Sequence, residues 1–174
     1  MFQIKSFLLR PGKTIENLED AITNYQQYFI AIDDKNEMTE IIKNLDRFYI
    51  EGAIIIYYYD KKIMDFDLWD LIDQLWSYIV STIKMAILNG EAETYFPDQP
   101  VKIIIKDLRK SILFQIQVQN RIMSHVLPRD EFLQEILKAA KLFFQEMINY
   151  DNEFYKRYKF ELEEIESIKN LVHI

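Results

Sequence analysis

Residues 111–119, "SILFQIQVQ", alternate strictly between apolar and polar positions. Ile112, Phe114, Ile116 and Val118 fall on one side, and Leu113, Gln115, Gln117 and Gln119 on the other, which predicts a strand with one buried and one watered face. The same reading extends along the chain. "FQIKSFLL" (2–9) predicts a first strand, closed by the Pro11-Gly12 turn signal. Thr14 is the predicted N-cap of a helix over 15–30, with Ile15, Leu18, Ile22, Tyr25 and Phe29 as its buried stripe. A shorter helix is expected near 37–47. The run around "GAIIIYYY" is apolar on both alternations and predicts a central strand covered on both faces, with a turn at Asp60-Lys61-Lys62 and a short return strand at 63–66.

Residues 67–89 carry the clearest helical pattern. Leu68, Leu71, Ile72, Leu75, Ile79, Ile83 and Ala86 follow three-four spacing, Trp69, Trp76, Val80 and Ile87 widen the stripe, and Gly90 stops it. Strands are predicted at 92–96, 101–106, 111–119 and in "RIMSHVL". Pro128 marks the first turn of a further helix, with Phe132, Ile136, Ala140, Phe143 and Met147 inward. "NYDNE" breaks it, and a terminal helix follows on Tyr158, Leu162, Ile165 and Ile168. Strands cluster rather than alternate with helices, so the predicted fold is α+β, with an antiparallel or mixed β-sheet packed against several α-helices in a single domain over 1–174.

Composition narrows the picture. A chain of 174 residues, 49% of them hydrophobic, buries a real core without external staples. Cysteine is absent, which removes disulfides, thiolate metal sites and cysteine nucleophiles. The first residues hold too short an apolar run for a signal peptide, and no run is long enough to predict a membrane span, so a cytoplasmic location is expected. The net charge of −7 argues against nucleic acid as a partner and favours a basic protein surface.

No catalytic constellation stands out. His125 and His173 lack partners at metal-ligand spacing, and no glycine-rich phosphate loop is present. The chain reads as non-catalytic, with no cofactor and no metal. Carboxylates are the abundant polar group. Asp60, Asp65, Asp67, Asp70 and Asp73 cluster just before and within the first turns of the Trp-bearing helix, where 67, 70 and 73 step by three and are expected to share a side. Asp65, Asp67, Asp70 and Asp73 are candidates for a partner-binding acidic patch, set against plain helix capping and against oxygen ligands for Mg²⁺ or Ca²⁺, for which no second element supplies a partner. Glu161, Glu163, Glu164 and Glu166 read as a solvated helix face.

The most distinctive stretch is "ETYFPDQPVKI". Pro97 and Pro100 fix the backbone and force Phe96 and Gln99 into extended conformations, making a stiff corner between strands. Together, "DLWDLIDQLWSYIV", the helix end at Gly90 and this corner resemble small bacterial proteins encoded beside toxins, some of them immunity proteins of polymorphic toxin or contact-dependent systems. The likeness covers roughly residues 50–120, about 40% of the chain. It implies a protein that neutralises a cognate toxin by binding it. Besides the four aspartates, the candidate contacts are Tyr95, Asp98 and Gln99 at the corner and the row Gln115, Gln117 and Gln119. A structural or regulatory subunit, including a homodimer, is the alternative reading, and a carboxylate-dependent enzyme the third.

Overall fold

A computed structural model describes all residues from Met1 to Ile174. Nine strands and six α-helices form two antiparallel sheets that share a helical core. The domain is α+β, as the clustering of strands predicts.

The first sheet has β1 (Phe2–Leu9) at its centre, between β2 (Phe29–Ala31) and β3 (Glu51–Tyr58). Strand β3 also pairs with β4 (Lys61–Met64) at one end and with the two-residue β5 (Asp70–Leu71) at the other. Its alternate residues separate by face. Ile54 and Ile56 enter the main core, while Ala53 and Ile55 enter a smaller cluster with Leu9, Phe29 and Phe66. Both faces of β3 are therefore covered, as its unbroken apolar run predicts. Tyr25 stacks on Phe66, ring centroids 4.7 Å apart, to roof the smaller cluster.

The second sheet is a four-strand meander: β6 (Glu91–Tyr95), β7 (Val101–Asp107), β8 (Ser111–Val118) and β9 (Arg121–Pro128). Ile103, Ile105, Ile112, Phe114 and Ile116 are buried on its inner face. The long helices α4 (Ile72–Asn89), α5 (Arg129–Tyr150) and α6 (Phe154–Val172) join both sheets in one apolar cluster. All the predicted inward positions of α4 and α5 lie in it or beside it, because their apolar stripes must be covered on more than one side. Gly90, at φ 88°, ends α4 in the left-handed conformation that glycine tolerates.

Four boundaries differ from the sequence pattern. The return strand expected at 63–66 is β4 (Lys61–Met64), because the turn tightens to Tyr59-Asp60 and Phe66 enters a 3-10 turn. The helix expected over 15–30 is broken into α1 (Leu18–Thr23) and α2 (Tyr25–Tyr28). Asn17, not Thr14, caps α1 by accepting from the Asp20 N–H, and Phe29 leaves the helix to start β2. The helix expected near 37–47 ends early, as α3 (Lys35–Ile41) and a 3-10 turn. The Trp-bearing helix begins at Ile72 rather than 67, because Phe66–Leu68 form a 3-10 turn and Asp70–Leu71 are drawn into pairing with β3. Asp67, Asp70 and Asp73 consequently do not share one helical face.

Gly52 of β3 has no room for a side chain against β1 and α4. A Cβ there would lie 2.2 Å from the Phe7 carbonyl oxygen and 3.0 Å from Ile72 Cγ2. Gly52→Ala should force β3 away from both β1 and α4, costing on the order of 2–3 kcal/mol in a urea unfolding titration. A variant of wild-type stability would show that this approach is not tight.

Candidate protein-binding face

The connection between β6 and β7 is anchored by a buried carboxylate. Asp70 is 2% exposed. Its Oδ1 accepts from the Leu71 N–H at 2.6 Å, and its two oxygens receive the Asp98 N–H at 3.1 and 3.2 Å and the Gln99 N–H, to Oδ2, at 2.8 Å. The Gln99 amide donates back to the Trp69 carbonyl. Proline on either side of Asp98-Gln99 limits the backbone to shapes that can present both N–H groups together. The corner is thus clipped across 28 residues onto the entry to α4. A cavity of about 110 Å³ lies there, with Glu51 at its rim. Burial, with Asp98 and Asp70 nearby, pushes the Glu51 carboxyl above its ordinary range.

The other aspartates are dispersed. Asp65 is buried and ion-paired with Lys62. Asp67 is exposed, and its carboxyl is pushed up by partial desolvation and by Asp65, against the opposing pull of Lys62 and Arg121. Asp73 is 3% exposed between α4 and α6, where the Tyr158 hydroxyl donates to Oδ2 at 3.1 Å and the Arg157 guanidinium lies 2.5 Å from the same oxygen. Its Oδ1 has no partner. Burial outweighs the arginine and pushes the Asp73 carboxyl above its ordinary range, while burial and the adjacent carboxylate push the Tyr158 hydroxyl up. Three of the four aspartates therefore face inward, and no continuous acidic patch forms from them.

The α4–α6 seam continues with Ser77 donating to Glu161 at 3.0 Å, Ser81 donating to Glu164 at 2.8 Å, and Lys84 reaching Glu164 at 3.3 Å. Partners rise together along both helices, so the two run parallel. Glu161 and Glu164 belong to this seam rather than to a solvated face, since the serines of α4 give them donors. No three His, Asp or Glu side chains converge where they would hold a metal ion.

The outer face of the second sheet gathers the remaining candidates. Strand pairing sets three rows across it: Tyr95–Lys102–Gln117–Ile122, Glu93–Ile104–Gln115–Ser124, and Glu91–Lys106–Leu113–Val126. Tyr95, Ile122 and Val126 are exposed. Lys102 bridges to Glu93 at 2.8 Å and sits over the Tyr95 ring, 5.0 Å from its centroid. Gln115 donates to Ser124 at 2.8 Å. Gln119 lies in the β8–β9 turn with φ 53°, at the same end of the sheet as Tyr95, Asp98 and Gln99. Register thus places Tyr95, Gln115 and Gln117 on one surface and Asp98, Gln99 and Gln119 along its end. Ile104, Leu113, Ile122 and Val126 supply apolar area between them. The alternation of β8 signals this surface, but the pairing that brings Ile122 and Val126 beside it is not visible in local pattern.

Comparison with protein-family models, with curated proteins and with solved structures finds no match.

Two outcomes follow. Asp70→Ala should lower stability by about 2–3 kcal/mol, because three backbone N–H groups lose an ionic acceptor. It should also speed hydrogen exchange at Asp98 and Gln99 first; unchanged exchange there would mean that Asp70 does not hold the corner. For Asp73, a carboxyl raised in the folded state favours the protonated form, so its contribution is best at low pH and is lost as pH rises through the raised value. The melting temperature of Asp73→Asn minus that of wild type should therefore climb with rising pH across the acid range. A flat difference would mean that Asp73 is not desolvated.

Proposed function

We propose that this chain is a non-catalytic protein-binding protein, in its sharpest form an immunity protein that neutralises a cognate bacterial toxin. The observation that carries the reading is the open face of the second sheet. Its cross-strand rows combine one exposed tyrosine, four aliphatic side chains and amide donors on a rigid antiparallel support. Interfaces draw most of their affinity from such aromatic anchors with a polar surround. The corner adds Asp98 at the rim, its backbone fixed in advance by Asp70, which lowers the ordering cost of binding.

Charge supports a basic partner through long-range attraction, not through an aspartate patch. On the face itself Glu93 and Glu91 are paired with Lys102 and Lys106, so the −7 net charge acts as a field that speeds encounter. The toxin-type likeness of the helix and corner gives the partner its class.

The test is affinity capture of the tagged full chain from its source cells, run beside Tyr95→Ala and Gln117→Ala. One basic partner should be held by wild type and weakened by added salt. Tyr95→Ala should lower its affinity by about tenfold or more, and the partner alone should arrest cell growth unless this chain is co-expressed. A partner bound equally well by both variants would move the site away from this face. A partner harmless on its own would sink the immunity reading while leaving the binding surface intact.

A further inference from the structure

A second surface lies on the first sheet, at the N-terminal half of β1. The direction of its backbone groups follows from three bonds. The Ser6 carbonyl accepts from the Ile32 N–H and the Arg10 N–H donates to the Tyr28 carbonyl, both toward β2; the Met1 carbonyl accepts from Tyr59, toward β3. Even-numbered residues of β1 therefore present their N–H and C=O groups on the β2 side, since successive residues alternate. Pairing to β2 covers only Phe7, Leu8 and Leu9, with Ile32 reaching Ser6. Beyond that, Asp34 caps α3 and the chain turns away. The strand position opposite Phe2–Lys5 is left open, and the N–H and C=O of Ile4 and the C=O of Phe2 have no strand beside them.

That open position is also a cleft. Two adjoining cavities, of about 250 and 120 Å³, share Ile4, Lys5, Ala139 and Leu142 in their walls. Helix α5 forms one wall and the free strand edge the other. Leu142 is exposed, although it faces this cleft.

We infer that this slot takes an extended peptide segment of another protein, which adds a strand to the first sheet in line with β2. Unused backbone donors and acceptors at strand spacing recognise another extended backbone, and side pockets at alternate positions select its side chains. A residue opposite Ile4 would share its face and lie over Ala139 and Leu142, which suits a small apolar side chain. A residue opposite Lys5 would share the other face. Lys5 is exposed and has no ion-pair partner, so a carboxylate fits there. Read from the position opposite Lys5 to that opposite Phe2, the peptide's pattern is acidic, apolar, polar, apolar, the polar residue facing Gln3. A second copy of this chain fits less well, because α5 stands beside the free edge and would meet the folded sheet of a neighbour, whereas a single strand enters between them. The surface is separate from the second-sheet face and does not depend on the identity of the partner proposed for it.

The test is selection of random phage-displayed peptides on the immobilised full chain, then titration of the selected synthetic peptide with amide hydrogen exchange. Ile4→Pro removes the unused N–H without removing a bond of the native ladder, as prolines do on edge strands. Leu142→Glu blocks the slot at an exposed position and serves if Ile4→Pro does not fold. Expected are selected peptides with an acidic residue beside an apolar one and a second apolar residue two positions further on, protection of the Ile4 amide on binding, and loss of affinity by about tenfold or more in either variant. No enrichment, or equal binding to the variants, overturns the proposal. So does a wild-type dimer in analytical ultracentrifugation that Ile4→Pro converts to monomer, since the slot would then belong to a second copy.

Discussion

The carboxylate of Asp70 ties the first sheet, the entry to α4 and the corner of the second sheet to one point. Through β5 it belongs to the first sheet, it stands two residues before α4, and it binds the backbone of the corner that carries the second sheet. Apolar contact between sheets and helices is permissive of small sliding motions, because it is not directional. Three hydrogen bonds to one buried carboxylate are directional and short-ranged. They set where the end of the β6–β7 hairpin lies relative to α4, and hence where Tyr95 and Asp98 stand in space.

Much of the fold is legible in the chain, for identifiable reasons. Strands β1, β3, β7 and β8 and helices α4 and α5 have long, strongly periodic apolar patterns whose burial has one solution. The region from Thr14 to Leu45 reads less well. Its elements are short, and the turn from α2 into β2 depends on Phe29 and Ile30 finding β1, a contact that local spacing does not encode. The corner is legible as stiff from its two prolines, but its acceptor, Asp70, sits 28 residues earlier and looks from spacing alone like one of a row of helix aspartates.

The aspartates illustrate how sequence proximity misleads about surfaces. Asp65, Asp70 and Asp73 lie within nine positions of one another, yet each answers a different internal need: Lys62, the backbone of the corner, and the pair Arg157 and Tyr158. A buried carboxylate is held only where donors await it, so donors scattered over distant elements disperse the acids among them. The glutamines of β8 behave oppositely. Their alternation obeys the period of the strand itself, and the open face they predict is the one the sheet presents.

The two sheets also differ in how far the chain must travel to close them. Every pairing in the second sheet joins consecutive strands, so it assembles hairpin by hairpin with small losses of chain entropy. The centre of the first sheet pairs Phe2–Leu8 with Gly52–Tyr58, which encloses about fifty residues before any hydrogen bond between them forms. Chain topology therefore favours a folding order in which the meander and α4 form early and present a finished apolar surface. The N-terminal strand arrives late, and β3 waits for it as an unpaired hydrophobic edge. That interval, rather than the native state, is when this chain is most exposed to aggregation.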